Sequence, residues 1–300
     1  MLNYSFVKTP EELKASYVVD LSLASEFYQQ EKIQAYWNID EATARRVLPP
    51  HINPWMPQGK PIMLSYIAFF GRPKYKYPYT EAALFMLTEC NGVVGAYTFS
   101  MPLDSSDQAM DAGREFFGYP KKQAFVKLER RGDRVLGYVE RNDVRIFSID
   151  TVIGEPLNNP TVGPEVLGPE TDGVEDGFVI ILKYDFDCVP EGNKGAFRNF
   201  RIQAQNNVLT FKDKHYARIN KMDFEASEDD PWIELAPKSE EDILGAFYCK
   251  YENKMKTSKN LYMYDDSEYN DVLPYAFCAW DTSMLGKEHS SHRTENFYKR

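Results

Sequence analysis

The sequence predicts a β-rich α+β fold. Three observations carry that prediction: an aromatic content of 14%, a succession of runs rich in β-forming residues, and tight-turn dipeptides between several of them. Bulky aromatic side chains suit pleated, half-buried surfaces better than a helical bundle. The runs cover residues 61–70, 83–87, 93–101, 123–131, 134–141, 144–152, 178–186 and 197–208. Gly132-Asp133 and Asn142-Asp143 separate three consecutive runs, so this stretch reads as an antiparallel meander.

Few helices interrupt the strands. Thr9-Pro10-Glu11-Glu12 has the form of a helix start, with Thr9 as cap, Pro10 in the first turn and Glu12 closing a capping box. A second helix is expected from about Asp40 through Val47, where Pro49 and Pro50 stop it. A third is expected at Ser239-Glu240-Glu241-Asp242, ahead of Ile243, Leu244, Ala246 and Phe247. Residues 154–177 are rich in Pro, Gly, Glu and Asp and read either as an interdomain linker or as a long loop. Strands of similar character on both sides favour the loop, and with it one domain over residues 1–300.

Composition narrows the function. Charged residues make up 27% and the net charge is −10, without a basic cluster large enough to neutralise phosphates, which argues against a nucleic-acid partner. If the substrate is an anion, the site must supply its own positive charge against this acidic background. The four cysteines, Cys90, Cys188, Cys249 and Cys278, are scattered and suit buried thiols in a reducing compartment. His289 and His292 lie close together but lack partners at metal-ligand spacing, so no metal is expected. No apolar run is long enough to span a membrane, and the N-terminus lacks the layout of a signal peptide, so a cytoplasmic location is expected.

The sequence contains no G-x-S-x-G, H-E-x-x-H, G-x-x-x-x-G-K-[ST] or G-x-G-x-x-G pattern. Its most informative segment is Gly113-Arg114-Glu115-Phe116-Phe117-Gly118-Tyr119-Pro120-Lys121-Lys122. A pair of lysines at a strand edge is ordinarily a surface feature. It becomes chemically interesting if one amine is held neutral, because an ammonium cannot attack a carbonyl. Burial disfavours the charged form, as does a neighbouring cation. Phe116, Phe117, Tyr119 and Phe125 are candidates for apolar walls, and Lys122 is the candidate cation.

This run resembles the signature of acetoacetate decarboxylases, which reads much like G-R-E-x-x-x-[YF]-P-K-K-L. That enzyme is itself the standard example of a lysine activated by desolvation or an adjacent cation. The resemblance implies that Lys121 is the Schiff-base lysine and that Lys122 is the neighbour lowering its pKa. Tyr79-Thr80-Glu81 resembles the family's Tyr-Thr-Glu segment, which implies an acid/base role for Glu81. The similarity covers residues 35–128, with a weaker echo in 178–205 and an unaligned C-terminal extension over 223–300. It implies antiparallel strands closed into a barrel or cone with peripheral helices, no cofactor, and a homo-oligomer.

Two positions depart from the family pattern. Gln30 stands where family members place a carboxylate-binding arginine, and Tyr66 stands where they carry a glutamate. Tyr66, Tyr79, Tyr119, Gln30 and Arg114 are therefore the candidate substrate contacts. Arg114 and Glu115 are also placed to brace the lysine segment, and Arg72 and Arg201 are possible substitutes for the missing arginine. The expected activity is decarboxylation of a β-keto acid through a lysine iminium. The alternatives are an aldolase-dehydratase joining a 2-oxo acid to an aldehyde through the same lysine, and a small-molecule binding protein without chemistry. On every reading the partner is a small molecule, with no membrane involved.

Overall fold

The computed structural model describes residues 7, 9–14, 26–74, 77–104, 107–162, 164–187, 189 and 196–281. His289, His292 and Cys188 lie outside them. The chain adopts the predicted β-rich α+β class, a twelve-stranded sheet with short helices. The strands are β1 (Glu26–Asn38), β2 (Asn53–Pro54), β3 (Ile62–Pro73), β4 (Tyr79–Cys90), β5 (Val93–Asp104) and β6 (Lys121–Gln123). They continue with β7 (Phe125–Arg131), β8 (Arg134–Arg141), β9 (Val144–Ile153), β10 (Gly173–Phe186), β11 (Phe197–Asp223) and β12 (Ile243–Met263).

Seven strands close on themselves in the order β10-β5-β4-β3-β1-β12-β11, because β11 pairs back onto β10. The meander β7–β9 continues the sheet from β11, and its apolar residues Val135, Val139 and Phe147 pack against one face of the ring. Ile33, Ala35 and Trp37 of β1 belong to that face. Alternate residues of the same strands point the other way, since successive side chains of a strand face opposite sides.

Local chemistry explains several elements. Pro10–Lys14 is helical, and the helix Glu41–Val47 is capped by Asp40, whose carboxylate accepts from Thr43 N at 2.9 Å. Asn142 and Asp143 both take positive φ, as a two-residue hairpin turn requires. The helix expected from Ser239 is instead a single 3-10 turn, Glu240–Asp242, followed by β12. Residues 244–249 are buried without a break between β1 and β11, and a run buried on both faces reproduces apolar positions that also fit helical spacing. Within the expected C-terminal extension, this strand lies at the middle of the sheet. The stretch 154–177 is shorter as a loop than expected, because it holds the helical turn Pro164–Leu167 and the first residues of β10.

Candidate active site

A cavity of about 350 Å³ opens inside the strand ring. Each of the seven strands contributes to its wall, with Lys32, Tyr66, Glu81, Met101, Phe178, Asn207 and Tyr251 as one residue from each. Most of the wall is apolar, with a small set of polar groups among its side chains.

Lys121 enters this cavity from β6. The preceding segment, Ala112–Phe117, is a π-helical turn that ends at Gly118 in the left-handed region (φ 79°). The Gly118 N–H donates to Arg114 O, and Tyr119 N–H donates to Gly113 O at 2.9 Å. The turn thereby doubles back, and β6 docks parallel to β5 with Lys121 opposite Met101. A Cβ added at Gly113 would lie 2.2 Å from Lys121 Cε, so only glycine leaves room for this lysine to cross the turn.

The Lys121 side chain is 6% exposed and its ammonium contacts Glu81 Oε2. The other Glu81 oxygen accepts from the Tyr66 hydroxyl at 2.6 Å. Tyr79 and Tyr119 stand over the amine, with ring centroids 5.6 and 6.0 Å from Nζ. Tyr79 stacks on Phe70 with centroids 4.5 Å apart. Burial, then the Glu81 carboxylate, pushes the phenols of Tyr66, Tyr79 and Tyr119 well above their usual range, so all three are neutral donors at physiological pH. The arrangement is an amine, a carboxylate bridging to it, and a phenol hydrogen-bonded to that carboxylate, in apolar surroundings.

Several expectations are corrected. Lys122 points to the opposite face of β6, as strand alternation dictates. There it is buried, donates to Asp229 O at 2.6 Å, and lies 3.1 Å from Asp230 and 3.3 Å from Asp281. Arg141 completes this network through the other Asp230 oxygen at 2.6 Å and through Asp281. Arg114 does not line the cavity: its guanidinium donates to the carbonyls of Lys121 (2.8 Å) and Ala279 (3.2 Å) and covers the Trp280 ring. It braces the lysine segment. Phe117 and Tyr119 wall the cavity, whereas Phe125 is 47% exposed. Gln30 lies on the cavity-facing side of β1 but behind the wall, fully buried. Arg72 is exposed and Arg201 pairs with Asp185 at 2.9 Å, so neither supplies charge to the cavity.

Sequence reasoning missed Lys32. It alternates with Gln30, Gln34 and Tyr36 on β1, a polar period-two pattern that reads as a solvated strand face. In the structure that face lines the cavity, and Lys32 is 5% exposed. Its ammonium donates to Gln34 Oε1 at 2.6 Å. Burial, reinforced by the nearby Lys214, lowers its pKa to about 8.

Comparison with known proteins identifies the family. Residues 7–264 match the family described as acetoacetate decarboxylase (ADC). Acetoacetate decarboxylases of Burkholderia vietnamiensis and Burkholderia multivorans are each 38% identical over 68 residues, 23% of this chain and 27% of theirs. The matched segment thus spans about a quarter of the length of these relatives. Among solved structures, acetoacetate decarboxylase from Legionella pneumophila superposes with a TM-score of 0.66 at 18% identity, covering 80% of this chain and 88% of that one. The enduracididine biosynthesis enzyme MppR, solved with pyruvate, gives 0.61 at 16% identity, covering 87% and 98%. An acetoacetate decarboxylase-like enzyme from Sphingomonas wittichii RW1 gives 0.60 at 14%, covering 79% and 92%. These likenesses establish a shared fold, and among the described residues no helix is long and apolar enough to cross a membrane. Since the family match runs from the first helix to the end of the central strand β12, the chain belongs to the acetoacetate decarboxylase family.

Proposed function

We propose that this chain is a carbon–carbon lyase that acts on a keto acid through an iminium on Lys121. The observation that carries the reading is the buried Lys121 amine in contact with Glu81, whose second oxygen is held by Tyr66. Transfer of the ammonium proton to Glu81 frees the amine to attack the ketone carbon. The carbinolamine oxygen takes up protons and leaves as water, with Glu81 and Tyr66 as the groups in reach. With a β-keto acid, the electrons of the bond to the carboxylate then flow into the iminium, giving carbon dioxide and an enamine. Protonation of the enamine carbon and hydrolysis release the ketone and restore the amine. The apolar wall suits this sequence, because a carboxylate leaving its solvent loses stabilisation that the neutral products do not need.

A specific observation supports a second reading. Tyr66 replaces a carboxylate of the family pattern with a neutral donor, which leaves the cavity with less negative charge to repel an acid that keeps its carboxylate. A 2-oxo acid bound as the iminium would lose a proton from the adjacent carbon, and the enamine would attack an aldehyde carbon. Loss of the resulting hydroxyl as water, then hydrolysis, would release the unsaturated acid. The neighbour solved with pyruvate makes this reading worth testing beside the first.

Borohydride reduction tests what both readings share. Incubation with acetoacetate or pyruvate followed by borohydride is expected to leave a secondary-amine adduct on Lys121, located by peptide mass spectrometry, and none in Lys121→Ala. An unmodified Lys121 after both treatments rules the proposal out. Carbon dioxide release from acetoacetate then supports the first reading, and enone absorbance from pyruvate plus an aldehyde supports the second. A homo-oligomer and a cytoplasmic setting remain part of the proposal.

A further inference from the structure

The cavity holds a positive charge that no group among the described residues of its wall balances. Among the described residues its wall carries two amines, Lys32 and Lys121, and two carboxylates, Glu81 and Glu175. Glu81 faces Lys121. Glu175 lies 3.2 Å from Nζ of Lys214, whose side chain is fully buried. Among the described residues, Lys32 is left without a carboxylate within ion-pair distance. Its ammonium has the amide oxygen of Gln34 and sits 4.9 to 5.9 Å from the ring centroids of Tyr251, Phe247, Phe211 and Tyr66. Passing a proton between Lys121 and Glu81 does not change this imbalance, so the surplus persists through the chemistry of the Schiff base. With a pKa of about 8, Lys32 still carries its proton at neutral pH. An ammonium buried without a counter-ion is costly, and the protein as a whole is strongly acidic.

The strand register sets Lys32 against the reactive groups. Lys32 pairs with Ala68, and Ala68 pairs with Glu81, so all three share one rung and one face of the sheet. Two strand spacings put the backbones of Lys32 and Glu81 about 10 Å apart. The residue between them is alanine, which leaves the space open. Gln30, two residues back on that face, is buried with both amide atoms unpartnered among the described residues.

We propose that Lys32 is the anion anchor of the site and receives a carboxylate that the substrate keeps through the reaction. This rests on the Schiff-base reading of Lys121 and specifies its substrate. A carboxylate that departs as carbon dioxide loses its charge in the transition state, so an ammonium bound to it stabilises the ground state more and raises the barrier. A carboxylate that survives is held equally in both states, and the ammonium then contributes binding without slowing the bond changes. The substrate class that fits is a keto acid that keeps a carboxylate, of which a 2-oxo acid is the smallest, with that carboxylate on Lys32 while its iminium forms on Lys121.

The test compares pyruvate with methyl pyruvate, which has the same ketone and no charge. Borohydride trapping on Lys121 is titrated in wild type, Lys32→Met and Lys32→Arg, with thermal melts to verify folding. Lys32→Met is expected to raise the half-saturating pyruvate concentration at least about tenfold, to leave methyl pyruvate unchanged, and to be rescued largely by Lys32→Arg. Equal losses for acid and ester, or no loss for the acid, overturn the anchor. Absence of any adduct in wild type overturns the Schiff-base reading instead. In that event calorimetry with 3-phenylpropanoate, which cannot form an iminium, decides the anchor separately. Binding to wild type that weakens at least about tenfold in Lys32→Met supports it. Equal affinity in the two proteins, or none in wild type, overturns it.

Discussion

Lys121 and Lys122 are neighbours in sequence and occupy opposite worlds in the fold. Both are about 5% exposed. Lys121 faces an open cavity and meets one carboxylate. Lys122 faces a closed network in which Asp230, Asp281 and the Asp229 carbonyl surround it and Arg141 shares the two carboxylates. Equal burial therefore does not mean equal chemistry. A cation surrounded by acceptors is held in place by several contacts, whereas one set among aromatic rings beside a single carboxylate faces open space that a substrate can enter. The comparison also assigns different tasks to the two members of the motif. Lys121 is positioned to react, and Lys122 pins β6 to the segment around Asp230 and to Asp281.

Lys122→Met is expected to have the largest effect on stability. Removing Lys122 leaves Asp230 and Asp281 to share Arg141, a surplus of buried negative charge, and loss of one partner from such a buried network costs about 3–5 kcal/mol. Urea unfolding should show this loss, while the protein that remains folded still forms a borohydride adduct on Lys121. The opposite result, normal stability with the adduct lost, would mean that Lys122 governs Lys121 electrostatically through the strand, and the division of labour drawn here would fall.

The sequence made one side of this comparison legible and hid the other. The Gly-Arg-Glu-to-Lys-Lys run and Tyr79-Thr80-Glu81 are local patterns, and their resemblance to a known family pointed to Lys121, Glu81 and Tyr66 before any coordinates. The hairpins at Gly132 and Asn142 were equally legible, because positive φ leaves a local signature in the residue types. The partners of Lys122 come from chain segments more than a hundred residues away, and no spacing rule reports them. The start of β12 carries a helix-start pattern, acidic residues ahead of apolar ones, and burial between two neighbouring strands overrides that local preference. Lys32 was missed for a related reason. Alternation shows which residues share a face, but not whether that face meets bulk water or an enclosed hollow.

The hollow can be distinguished from water by titrating stability. The pKa of Lys32 falls from 10.5 to about 8 in the folded protein, mainly through burial, with Lys214 lowering it further and Cys249 and Glu175 opposing. Between those two values the unfolded chain binds the proton and the folded chain does not, so stability rises with pH across that window. Below about pH 8 the cost of burying the ammonium is present in full, on the order of 3 kcal/mol. Lys32→Met should therefore be more stable than wild type at neutral pH, and the gap should close as pH rises from about 8 towards 10.5. A gap that does not vary with pH would place the Lys32 ammonium in contact with solvent and remove the contrast between the two faces of β1.

A smaller effect, on rate more than on stability, is expected at Gly113. The cavity face depends on Lys121 crossing the π-helical turn, and the hydrogen of Gly113 occupies the space in which a methyl would stand 2.2 Å from Lys121 Cε and 2.4 Å from Cδ. In Gly113→Ala the lysine must shift by about an ångström or more, and a misplacement of that size costs about 10²-fold in rate. The turn can absorb an alanine otherwise, because the φ of Gly113 is not in the left-handed region. The lysine network on the far side of β6 does not touch the substituted position, so unfolding in urea should change far less than in Lys122→Met. Adduct formation measured against time should slow about a hundredfold, with the same residue labelled at the end. If Gly113→Ala forms the adduct at the wild-type rate, the lysine reaches its carbonyl by a path that does not cross this turn, and the seat described for Lys121 is not the one it reacts from.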